Sequence, residues 1–248
     1  MTKHYIIMSS SYSDGTRIAL DITDDSLLNT QSINSIINNI KMSCDRDVPL
    51  STHFIESEDA SWKSVEAYDP FFEGVECVKS VTGFAQKIKK DRVLSGLDVA
   101  NYILSRKQCT HLSLEKLVYF AYADYLCSHS EKLFEDNIYA FSYGPVISSV
   151  YSEYKRSGYE YITPSDEEFL SDDVKQMPAK SRILFAKNGF DKLQSIEKSI
   201  KKYGNYSAAE LVDITHRKGS PWSYVDSSKP YPIISDELIK KYHYIECV

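Results

Sequence analysis

The chain has 248 residues, of which 42% are apolar and 26% charged, with a formal net charge of -6. That length accommodates one large domain or two small ones, and the balance is globular, not disordered. The acidic excess argues against a general phosphate-backbone binder, which carries a basic surface. No stretch approaches the roughly 18 to 20 apolar residues of a membrane span, and no secretory h-region is present, so a cytoplasmic location is expected.

Residues 4–10 (HYIIMSS) and 16–22 (TRIALDI) read as short strands around the hairpin signal SYSDG. SLLNTQSINSIINNIKM then places Leu27, Leu28, Ile33, Ile36, Ile37 and Ile40 at helical spacing. FIES and EGVECVKSVTGF are candidate strands interrupted by Pro49, Pro70 and Gly74, and KIKKDR at 87–92 reads as a solvated connector. Residues 1–92 are therefore expected to form a small α/β region without recognisable chemistry. Tyrosine marks the break that follows: of 19 tyrosines, only Tyr5, Tyr12 and Tyr68 precede residue 95.

Beyond that point the signals are helical. Ser95 and Asp98 form a capping-box pattern ahead of LDVANYILSRK. Thr110 can cap HLSLEKLVYFAYADYLCSH, where Leu114, Leu117, Val118, Ala121 and Tyr125 make a core-facing stripe. The YGPV junction predicts a third helix with Pro145 in its first turn, closed by Gly158. SRILFAKNGFDKLQSIEKSIKKY is a further helical stretch that Gly189 bends or splits. Ser207 and Glu210 box the start of AAELVDITH, and Ser235 opens DELIKKYHY. The fold class expected is α+β overall. An α/β region, 1–92, precedes an all-helical domain, 93–248, of five to seven short helices.

Few residues invite an enzymatic reading. GxxxxGK[ST], GxSxG and HExxH patterns are absent. The adjacent acid pairs Asp24/Asp25 and Asp172/Asp173 do not face each other on a helix and read as loop or cap charges. Five cysteines, Cys44, Cys77, Cys109, Cys127 and Cys247, are odd in number and scattered, as expected of reduced thiols. Cys109/His111 and Cys127/His129 are C-x-H pairs, but a helix between them would hold them about 27 Å apart, and neither supplies four ligands. No metal or cofactor is expected. His216, at a predicted helix end, is favoured there in its protonated form by the carbonyl dipoles. No nucleophile is evident for it, which leaves a His216-dependent enzyme near Cys109 or Cys127 as the weakest reading. Trp222 directly after Pro221 either plugs the core or anchors a partner.

The ordered series LDVANYILSRK, THLSLEKLVYFAYADYL, EKLFEDNIYAFSYGPVISSVYSEYKRSG, KYGNYSAAELVDITHRKGSPW and SDELIKKYH resembles the Panacea domain, also called SocA-like or GepA-associated, over about residues 96–245. The sequence departs from that family at His111, where proline often follows the threonine, and at Ala123-Asp124. The resemblance implies a helical antitoxin domain that binds and blocks a cognate protein toxin, commonly a translation inhibitor, encoded by a neighbouring gene. It identifies Lys116, Tyr119, Tyr122, Tyr143, Gly144, Pro145, Tyr151, Tyr154, Thr215, His216 and Trp222 as motif or partner-binding positions. None of them is expected to be catalytic. Tyr143 and Tyr151 are expected to be mainly structural, with Tyr122, Tyr125 or Tyr154 reaching a surface patch, because exposed phenols suit protein docking. Delivery of a partner to a protease is the alternative role. Homo-oligomerisation stays open, and an N-terminal region that helps to grip the toxin is consistent with the family's variable extensions.

Overall fold

A computed structural model describes residues 1–44, 47–162, 172–226 and 230–248; of 172–176 it describes the backbone alone, so the side chains of Asp172 and Asp173 lie outside the described residues. The chain separates into two compact units, Met1–Arg92 and Val93–Val248.

In the first unit, β1 (Thr2–Ser11) and β2 (Thr16–Ile22) form an antiparallel hairpin, with β3 (Ser51–Ser57) antiparallel to β1 and β4 (Glu76–Val78) parallel to β2. The order is β3-β1-β2-β4. Alternate β1 residues feed two cores. Ile7 packs with Ile18, Leu20, Ile40, Phe84 and Ile88, which brings α1 (Thr30–Cys44) and α3 (Val81–Asp91) onto one face. Ile6 and Met8 pack with Val65 of α2 (Trp62–Tyr68) and with Phe72 on the other. A sheet covered on both faces needs consecutive apolar residues, which explains YIIM. The charged run 87–92 is not a connector but mostly the last turn of α3, capped at its start by Ser80. Phe84 and Ile88 are buried at i, i+4, and the Asp91 carboxylate accepts the Tyr12 and Ser13 N–H groups at 3.0 and 2.7 Å. Lysines around a narrow apolar stripe disguised it, because their long stems carry the charge out to solvent.

In the second unit, α5 (His111–His129) is the axis, in contact with α4 (Gly96–Arg106), α8 (Gly189–Tyr203), α9 (Ala208–Thr215) and α10 (Asp236–Tyr242). Every residue from Leu114 to Ala123 is buried, so the helix is enclosed on all sides and not apolar on one stripe only. Both capping boxes form, at Ser95/Asp98 and Ser207/Glu210, and Thr110 and Ser235 cap α5 and α10. The stretch 181–203 splits as the glycine implied. Left-handed Asn188 (φ 55°) separates α7 (Asp172–Phe185) from α8, and a Cβ at Gly189 would lie 2.4 Å from the Ile183 carbonyl oxygen.

The domain is not all-helical. Residues 144–147, expected to open a helix, are strand β6 (Gly144–Ile147), paired antiparallel with β5 (Ile138–Phe141); helix α6 (Ser148–Tyr154) starts only afterwards. Proline in a first helical turn and proline on a strand edge read alike locally, because both lack an N–H that would need a partner. Tyr139 of β5 also bridges Ile233. No helix among the described residues is long and apolar enough to cross a membrane.

Candidate functional site

Strand β6 presents its outer edge to α5, where a neighbouring strand would normally sit. Two consecutive buried side chains take that strand's place. Lys116 Nζ donates to the Pro145 carbonyl oxygen at 2.8 Å, and Glu115 accepts the Ile147 N–H at 2.8 Å. Proline suits this edge, since Lys116 calls for its carbonyl and no acceptor waits for an N–H. Burial pulls the Lys116 ammonium down to about 8, against the raising effect of Glu115. Glu115 also meets His111 Nε2 at 3.3 Å.

The turn between β5 and β6 is also held by the end of α9, which meets it beside Lys116. Gly144 has φ 95°, and a Cβ there would lie 2.6 Å from Thr215 Oγ1 and 3.0 Å from Lys116 Cε. Only glycine satisfies both the positive φ and the close approach. His216, the residue that ends α9, turns Nδ1 to the Val212 carbonyl oxygen (2.8 Å) and Nε2 to that of Ser142 (3.2 Å). Trp222 Nε1 donates to the Phe141 carbonyl oxygen at 2.9 Å, and its ring lies 3.9 Å from that of His216, centroid to centroid. Six of the motif residues, Lys116, Gly144, Pro145, Thr215, His216 and Trp222, therefore converge on one turn, whose tip is Tyr143.

Tyr143 is 66% exposed and Tyr151 36% exposed, contrary to the expectation that these two are mainly structural. Rings run on from there in a row. Tyr151 lies 5.4 Å from His111 and 5.5 Å from Phe141, Phe141 lies 6.3 Å from Tyr139, and Tyr139 lies 6.3 Å from the 73% exposed Tyr231. Lys155 Nζ stands 5.8 Å above the Tyr151 ring.

The remaining motif tyrosines do other work. Tyr122 and Tyr125, expected at a surface patch, are buried because α5 is enclosed. Tyr119 donates to Glu246 at 2.9 Å and Tyr122 to Asp236 at 2.7 Å, and burial pushes both phenols well up. Tyr154 packs partly against the core and donates to Asn101 at 2.7 Å. The C-x-H pairs do not converge. The Cys109 and Cys127 thiols point at the Lys107 and Ile239 carbonyl oxygens (3.7 and 3.8 Å), while His111 and His129 lie against Tyr151 and Tyr125. Neither thiol is aimed at His216, both of whose nitrogens face backbone carbonyls.

Two constellations escaped the sequence. In the first unit, His4 Nδ1 meets Asp21 at 2.8 Å and its Nε2 meets Ser57 Oγ at 2.9 Å, the order of a Ser-His-Asp relay. His4 is 0% and Ser57 2% exposed, and the Ser57 hydroxyl also contacts Ser64 and the Asp59 carbonyl, so no substrate reaches it. In the second unit, Asp124, His243 and Cys247 bring donor atoms within 4.8 Å of one another. Neither grouping leaves a complete spacing signal: His4, Asp21 and Ser57 come from three strands, and the His243/Cys247 pair meets Asp124 only through the fold.

Residues 114–223 match the family model described as Antitoxin SocA-like, Panacea domain. Antitoxin SocA of Caulobacter vibrioides (strain NA1000 / CB15N) is 27% identical over 132 residues, spanning 51% of this chain and 68% of that protein. No solved structure matches the chain. The family match contains the whole turn and every residue that holds it, from Lys116 to Trp222, and leaves residues 1–92 outside.

Proposed function

We propose that this chain, whose helical unit carries a SocA-like Panacea domain at residues 114–223, is an antitoxin that neutralises a cognate protein toxin by direct contact, in the cytoplasm and without chemistry of its own. The observation that supports this reading best is the division of labour at the β5–β6 turn. Lys116, His216 and Trp222 direct their polar atoms at three hairpin carbonyls on either side of the tip, those of Pro145, Ser142 and Phe141, and so fix the hairpin in one conformation. The exposed rings at and around it are Tyr143 at the tip, Tyr151 on α6 and Tyr231, the last two joined through the half-buried Phe141 and Tyr139 of β5. A rigid hairpin loses little entropy on docking, and amphipathic rings supply contact area with only two torsions each to freeze. Residues 1–92 add selectivity for the particular toxin.

Co-expression with the adjacent open reading frame tests the proposal. The neighbour alone should arrest growth, and this chain should restore it. Tyr143→Asp combined with Tyr231→Asp should abolish the rescue while shifting the thermal midpoint little, since substitutions at such exposed positions change stability by only about 0.5 kcal/mol each. A neighbour that is harmless alone, or that stays lethal beside the wild-type chain, sinks the antitoxin reading. A double variant that still rescues moves the docking surface elsewhere.

A further inference from the structure

The end of the chain is fastened to α5 by a cluster of unusual composition. Asp124, on α5, places Oδ1 2.9 Å from His243 Nε2, and its Oδ2 accepts from Ser199 of α8 at 2.7 Å. On the far side of the ring, His243 Nδ1 meets Glu246 Oε2 at 2.8 Å, and that oxygen also accepts from Tyr119. Cys247, four residues after His243, brings its thiol into the same space, so that carboxylate, imidazole and thiol donors all lie within 4.8 Å of one another.

Two buried polar atoms beside this trio are poorly satisfied: Glu246 Oε1 has no hydrogen-bond partner, and the Tyr203 hydroxyl faces only the Cys247 thiol, outside hydrogen-bond geometry. Tyr203 is 0% exposed, and its hydroxyl lies beside the Cys247 thiol. A buried hydroxyl that is poorly satisfied is costly. A thiol is a weak acceptor, whereas a thiolate is a good one. A metal-bound sulfur at Cys247 would give Tyr203 a stronger acceptor, and the carboxylates on either side of His243, those of Asp124 and Glu246, suit a cation in this space.

We propose that Asp124, His243 and Cys247 bind one divalent transition-metal ion of the zinc class, which pins the C-terminal segment to α5. A tetrahedral ion with ligands at about 2.0–2.3 Å holds neighbouring donor atoms about 3.3–3.8 Å apart, so the Asp124–His243 pair has to open by only about half an ångström. The ion replaces the proton between those two residues and the thiol proton of Cys247, and both protons leave to solvent. Glu246 then occupies the position from which a carboxylate orients a metal-bound imidazole, and Ser199 does the same for Asp124. One carboxylate and one thiolate cancel the charge of the ion. Mixed oxygen, nitrogen and sulfur donors exclude the hard cations magnesium and calcium. Access is open: Cys247 is exposed, and a groove of about 220 Å³ between α5 and α8 is lined in part by Asp124. Cys127, one turn further along α5, stays outside the set, its thiol directed at the Ile239 carbonyl oxygen.

Titration of the 248-residue chain with Co2+ tests the site independently of any toxin. Wild type should bind one ion per chain and develop thiolate-to-cobalt charge-transfer absorption, and saturating Zn2+ should raise its thermal midpoint. Cys247→Ser, at an exposed position, should remove the absorption and the thermal shift. Cys127→Ser should preserve both. Asp124→Asn should weaken binding by about tenfold or more. Absence of the charge-transfer band in wild type, its survival in Cys247→Ser, or its loss in Cys127→Ser alone would overturn the assignment.

Discussion

Lys116→Met turns the buried lysine under the hairpin into a measurable pH signature. The side chain is 0% exposed, and its hydrogen bond is to the Pro145 carbonyl oxygen at 2.8 Å. Burial lowers its pKa from 10.5 to about 8, with Glu115 opposing. The unfolded chain therefore holds more protons than the folded one between those two values, and the stability of the wild type rises with pH across that window. Below pH of about 8 the charged lysine is a fixed liability; at about pH 10.5 and above the liability is gone. At about 1.4 kcal/mol per pKa unit, moving from about pH 7 to about pH 9.5 returns about 2 kcal/mol. Methionine fills a similar volume and does not titrate, so other groups that ionise in this range, Lys192 included, cancel in the comparison. Urea unfolding of both proteins across that range, followed by circular dichroism, gives the wild-type stability minus the variant stability at each pH. The difference should climb by about 2 kcal/mol towards high pH, whatever its sign at neutrality. A flat or falling difference would mean that the ammonium finds water in the folded state, and that Lys116 is not the desolvated clamp described here.

Other substitutions at the turn separate its supports. Gly144→Ala puts a Cβ 2.6 Å from Thr215 Oγ1 at φ 95° and should destabilise by about 2–4 kcal/mol, read from the urea midpoint. Trp222→Phe keeps an aromatic ring against His216 but removes the donor to the Phe141 carbonyl oxygen. It should cost about 1 kcal/mol in stability and weaken rescue of the co-expressed neighbour more than that loss of folded protein accounts for.

Local chemistry made the helix starts readable from sequence. Ser95, Thr110, Ser207 and Ser235 each accept the backbone N–H three residues on, a bond that the intervening residues alone decide. The failures lie where a distant segment casts the deciding vote. Gly144-Pro145 is a strand because Ala140 and Phe141 lie opposite and Lys116 waits on the outer edge. The end of α3 is a helix because Ile88 has a sheet to cover. His4, Asp21 and Ser57 meet because β1 lies between β2 and β3, and Asp124 meets His243 because the chain end returns to α5. Six of the converging residues at the turn were legible as motif positions, but not as parts of one clamp. The outward row escaped because Tyr139, Phe141 and Tyr231 carry no motif and join only through the hairpin.

Tyrosine surplus by itself does not locate a docking surface, because the same residue serves two purposes in this domain. Inside, the phenol is a tie: Tyr102, Tyr119 and Tyr122 send their hydroxyls to Glu197, Glu246 and Asp236, carboxylates far away in the chain. Leucine would fill the space as well but leave those elements unfastened. Outside, Tyr143 is displayed by a hairpin whose turn carbonyls are already engaged, and Tyr151 and Tyr231 stand exposed beside the rings of its first strand. Removing one hydroxyl of each kind distinguishes the two purposes. Tyr122→Phe keeps the buried ring and loses the 2.7 Å bond to Asp236, in the first turn of α10. It should lower the urea-derived stability by about 1–2 kcal/mol, a charge-assisted bond with one partly solvated end. Rescue per folded molecule should stay unchanged. Tyr143→Phe should show the reverse pattern, with unaltered stability and a measurable loss of rescue. If Tyr122→Phe instead impairs rescue at full stability, the buried phenols take part in recognition, and the outward hairpin is not the surface that matters.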